Sequence, residues 1–129
     1  MIITYNNKEE FGNLYLHDFK ITEFNYNDLD RYITMTLTSE YLKKTIHLNF
    51  LNVLYCKIDG MEGLKGEPAY IIDWYELSDE PKIILYSEKV RPIGVMFVKA
   101  SITSIKIYCE KIDVEEKDFI NKANKDKAY

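Results

Sequence analysis

A chain of 129 residues with 21 acidic and 17 basic side chains, formally −4 at neutral pH, is sized for one domain and carries no basic excess for a phosphate backbone. Its 47% hydrophobic and 29% charged content excludes a disordered polymer, and a core of this size needs no disulfide or metal staple. No apolar run approaches the roughly 20 residues of a membrane helix, so neither nucleic acid nor membrane is expected as a partner.

The N-terminus, Met1 to Lys8, lacks a basic start followed by an apolar stretch. No signal peptide is read there, and the cytoplasm is the expected compartment. The two cysteines, Cys56 and Cys109, are far apart and show no C-x-x-C spacing, which predicts reduced, buried thiols. The 11 Tyr and 6 Phe favour strands, because flat rings pack well on a pleated surface.

In chain order, a first strand is predicted from Leu14 to Tyr26. Leu14 and Leu16 share one parity, Phe19 and Ile21 the other, and Phe24 and Tyr26 return to the first. Each change implies a bulge or a strand end, the first of them at His17-Asp18. Asn25 to Asp30 reads as a turn, since Asn and Asp bond to their own backbone. It leads into the clearest strand, Arg31 to Ser39, where Ile33, Met35 and Leu37 alternate with threonines. A third strand spans about Lys44 to Ile58, with His47 on its wet face. Both its parities become apolar from Phe50 to Cys56, which predicts cover on both faces.

Asp59 to Pro68 is a glycine-punctuated loop. Tyr70 to Leu77 fits a strand or a short helix, and Lys82 to Tyr86 a short strand. Ile93 to Ala100 and Ile102 to Ile112 are the last predicted strands. The charged tail 113–129 is expected to be a short helix, with Asp113 as its cap, Glu116 three residues on, and a stripe of Val114, Phe119, Ile120 and Ala123.

The expected fold is mainly β, with α+β as the alternative. It is a single domain, 1–129, built on a twisted antiparallel sheet of six to seven strands. That sheet forms a sandwich or a partly open barrel, with the short C-terminal helix appended.

Chemistry-bearing patterns are sparse. His17 and Asp18 stand at a predicted bulge or strand end; a bulge re-aims side chains beside sites, while the structural alternative has Asp18 tying a bulge or turn and His17 packing at a sheet margin. Neighbours on a strand face opposite ways, however, so they cannot readily form a dyad with each other. Trp74 and Tyr75, set among Asp73, Glu76, Asp79 and Glu80, have the aromatic and acidic composition of a protein interface, or equally of a solvated face with Trp74 in the core. His17, Asp18, Trp74 and Tyr75 are therefore the candidate binding residues. No catalytic residue is assigned: there is no G-x-S-x-G elbow, and buried thiols are inert. No zinc-ligand spacing and no phosphate-binding glycine loop occur, so no metal and no cofactor are expected.

Leu16-His17-Asp18-Phe19-Lys20-Ile21, the strand ending near Leu37, Ile46 to Val53, and Ile105 to Val114 together resemble a loose group of small bacterial proteins. These open with a Leu-His-Asp-Ser element, and some are classed as immunity proteins of toxin systems. Phe19 stands where that group usually has Ser. The resemblance covers about half the chain, and it implies a compact β-rich fold and protein binding rather than catalysis. The expected function is thus a non-catalytic, immunity-like protein-binding domain with a toxin-like partner or as a homodimer. The alternative is a small-molecule-binding domain or weak enzyme with its site near His17 and Asp18.

Overall fold

The computed structural model describes residues 1–17, 19–60, 71–77, 91–99 and 103–118, with the backbone alone over 71–77 and at 99, 103 and 118. The protein is mainly β. The strands are β1 (Ile2–Ile3), β2 (Lys20–Asn27), β3 (Tyr32–Ser39), β4 (Lys44–Asp59), β5 (Ile71–Leu77), β6 (Ile93–Lys99) and β7 (Thr103–Asp118). They form one antiparallel sheet in the order β2-β3-β4-β7-β6-β5, which does not close into a barrel, and β1 pairs with β7 beside this path. Of the segment open to a strand or helix reading, 70–77, residues 71–77 are β5, while 61–70 and 78–90 lie outside the described residues.

One core cluster serves the sheet. From the strands it takes Ile33, Met35, Leu37, Ile46, Leu48, Phe50, Val95, Phe97, Ile105 and Ile107, among others. In β3 every second residue is buried, as alternation requires of a sheet with one wet face. The other side of the core is supplied by the N-terminal segment, through Ile3, Phe11, Leu14, Leu16 and Phe19. Sequence periodicity gave no notice of its shape. Thr4 starts a 3₁₀ turn over Tyr5–Asn7, where the Thr4 amide donates to Asn7 Oδ1 at 2.7 Å and Asn7 Nδ2 donates to the Ile2 carbonyl at 3.0 Å. A single helical turn, α1 (Glu9–Gly12), follows and buries only Phe11. The Arg91 guanidinium lies 4.0 Å from the centre of the Tyr5 ring, joining this turn to the entry of β6 by a cation–π contact.

The long central strands β4 and β7 change their inward parity together. Phe50 opposes Ile112 and Val53 opposes Cys109, with two residues between on each strand. The register is kept while the buried positions shift. Asn52 makes the shift with a left-handed φ of 51°, its Nδ2 donating to Glu110 Oε2 at 3.0 Å. Asn tolerates this region better than most residues. The Val53 amide turns away to donate to the Arg31 carbonyl at 2.8 Å. A bulge between Val53 and Tyr55 shifts β4 again, so that Cys56 and Ile58 pack against the core opposite Ile107 and Ile105. The apolar run at both parities therefore does not mark a strand sandwiched between layers. It marks two parity changes, and Leu51, Leu54 and Tyr55 are only half-buried.

Two further expectations are corrected. The strand expected from Leu14 begins only at Lys20, and the parity change at His17, read as a bulge or a strand end, falls ahead of the strand, where the Phe19 amide donates to the Leu16 carbonyl at 3.1 Å. The change between Ile21 and Phe24 is indeed a bulge, where the register slips between Ile21 and Glu23. The helix expected from Asp113 is strand as far as Asp118, and 119–129 lie outside the described residues. Capping is worth about 1 kcal/mol. Here it loses to burial of Ile112 and Val114 and to the ladder with β4, in which Asp113 faces Asn49.

The hairpin turns carry left-handed residues other than glycine: Arg31 at φ 50° before β3 and Lys43 at φ 56° before β4. In the second, buried Ser39 accepts the Leu42 amide through its Oγ at 3.1 Å. An exposed non-glycine residue in this region costs about 1–2 kcal/mol, part of which glycine returns as lost chain entropy. Lys43→Gly is accordingly expected to raise the unfolding free energy by about 0.5–1 kcal/mol, measured by urea denaturation.

Candidate functional site

The segment from Leu14 to His17 lies outside the strands and alternates buried with exposed residues. Leu14, Leu16 and Phe19 are buried in the core, while Tyr15 and His17 face outward. An extended chain puts successive side chains on opposite sides, so burial of Leu14 and Leu16 on one side turns Tyr15 and His17 to the other. Tyr15 and His17 meet edge to face with ring centres 6.3 Å apart, and the Tyr15 side chain is 55% exposed. Phe19 is an anchor with its ring in the core.

Of the four residues expected to bind, His17 is thus displayed on the surface. Asp18 lies outside the described residues. Trp74 and Tyr75 sit on β5 opposite Phe97 and Met96, and their side chains are likewise outside the description. His17 leads into β2 at one end of the strand order, whereas Trp74 and Tyr75 are on β5 at the other. Tyr15 was missed by sequence reading, because its meaning depends on the burial of Leu14 and Leu16 on either side.

A second polar grouping crosses the outer face of the sheet. Glu23, Thr36, His47 and Glu115 are direct cross-strand partners on β2, β3, β4 and β7. The Thr36 hydroxyl is 3.4 Å from Glu23 Oε2 and 3.3 Å from His47 Nδ1. A hydroxyl has one proton to give. When it donates to the carboxylate, it can bond to His47 only by accepting from a protonated Nδ1. His47 is half-buried on this wet side, as its alternation with Ile46 and Leu48 indicated. The row itself was hidden, because it requires the register of three strand pairs. Among the described residues, no group of three His, Cys, Asp or Glu is placed to hold a metal.

Both thiols are free and sit on the inward side, Cys109 within the core and Cys56 against it. Burial pushes the Cys56 thiol up to about 11, and it pushes Cys109 up further still. Cys109 Sγ lies 3.4 Å from the Lys111 carbonyl, to which its thiol donates. A rise of two pKa units lowers the thiolate fraction about 100-fold at neutral pH. Iodoacetamide should therefore label Cys56 about 100-fold more slowly in the native protein than in denaturant at pH 7.5, and Cys109 more slowly again, as read by mass spectrometry. The linkage to stability has a definite sign. Below the unfolded thiol pKa of about 8.5 both states keep their protons. As the pH rises from there towards 11, the unfolded chain releases protons that the folded chain retains, and stability falls.

No protein-family model matches the chain, and a search of curated proteins finds no match. Among the described residues no helix is long and apolar enough to cross a membrane.

Proposed function

We propose that this chain is a non-catalytic, immunity-like protein-binding domain of the bacterial cytoplasm, with Tyr15 and His17 in its contact surface. The observation that carries this reading is the outward-facing Tyr15–His17 pair, held on a strap by Leu14, Leu16 and Phe19. Rings already fixed in place lose little conformational entropy on binding, and tyrosine is enriched among the residues that dominate interface energies. His17 is exposed, and its ring meets that of the exposed Tyr15 edge to face.

A heterologous partner is favoured over a second copy joined edge to edge. Both terminal strands of the path carry register breaks, β2 between Ile21 and Glu23 and β5 between Ile71 and Asp73. Bulges on edge strands interrupt the row of backbone groups that another chain would use for pairing. Face-to-face pairing of the outer surface about a twofold axis along the strands is also penalised. It would set Glu23 against Glu115 and Lys20 against Lys117, which occupy matching rows of β2 and β7.

The test is capture of a partner from the native cell with tagged protein, followed by titration of that purified partner in a calorimeter. Tyr15→Ala and His17→Ala are expected to weaken binding by about 10-fold or more while leaving the thermal transition in place. Unchanged affinity in both variants, or capture of nothing but the protein itself, would reject the reading.

A further inference from the structure

We draw no further inference here: the strongest candidate, the outer face of β2, β3, β4 and β7 with its uncharged centre of Thr34, Thr36, Thr45, His47 and Asn49 between charged flanking strands, carries nothing because no feature of the structure shows what covers it.

Discussion

Phe97→Ala is expected to lower the unfolding free energy by about 3–5 kcal/mol, the largest single-residue loss in the described core. Phe97 is completely buried on β6 opposite Ile105. Its ring meets Phe11 edge to face at 5.9 Å and Phe50 at 6.3 Å, so it joins the N-terminal segment to β4 through the middle of the core. Truncation removes both aromatic contacts, worth about 0.5–1.5 kcal/mol each beyond buried area, and leaves a cavity that the close-packed core between sheet and N-terminal segment cannot fully collapse around. Domains of this size are stable by only about 5–15 kcal/mol, so the variant should lose a large fraction of its stability. Urea denaturation should show an earlier midpoint with an unchanged slope, and Phe97→Leu should recover more than half of the loss. A loss below about 1.5 kcal/mol for the alanine variant would mean that Phe97 does not bridge these elements.

Gly94→Ala is the second large effect, expected to destabilise by about 1–3 kcal/mol through overpacking. Gly94 on β6 lies directly opposite Tyr108 on β7. A Cβ added to it would come within 2.4 Å of Tyr108 Cε1 and 2.7 Å of Cδ1. No ordinary rotamer adjustment absorbs that approach, because the tyrosine is itself buried and packs edge to face on Tyr55 at 5.9 Å. The glycine is required by the ring that lies over it, not by an unusual backbone angle. In the Tyr108→Ala background the same Gly94→Ala change should be neutral or slightly stabilising, because alanine has less chain entropy to lose than glycine. The thermodynamic cycle should therefore give a coupling of at least about 1 kcal/mol. Equal penalties in both backgrounds would show that the crowding comes from elsewhere.

The parts legible in advance were those where local pattern and global fold agree. Ile33, Met35 and Leu37 in β3, and Ile46, Leu48 and Phe50 in β4, alternate cleanly, and both strands lie where that alternation puts them. The turn that ends near Asp30 is closed as its composition indicated, with the Asp30 amide donating to Asn27 Oδ1 at 3.1 Å. Even the bulge after Ile21 was visible as a parity change. Legibility failed where two explanations share one pattern. The same kind of parity change is a bulge after Ile21, a turn after Leu16 and a reversal at Asn52. Apolar residues at both parities can mean cover on two faces or a strand whose inward side shifts. Asp113 with Glu116 carries a good capping signature, yet its neighbours Ile112 and Val114 have a place to be buried beside Phe50 and Leu48.

The candidate site was half legible for a related reason. His17 stood out by residue type, whereas the Tyr15–His17 pair and the Glu23–Thr36–His47–Glu115 row are products of placement. By itself the sequence determined the β class, the inward stripes of β3 and the first half of β4, the inward position of both cysteines and the wet side for His47. These follow from side-chain size and two-residue alternation, which act between near neighbours in the chain. Only the tertiary structure decided that β7 continues to Asp118, that a one-turn helix and an extended strap close the core, and that Gly94 must stay small. Those outcomes depend on what lies opposite each residue across the sheet or core, and burial against a distant partner outweighs the roughly 1 kcal/mol preferences that local sequence can express.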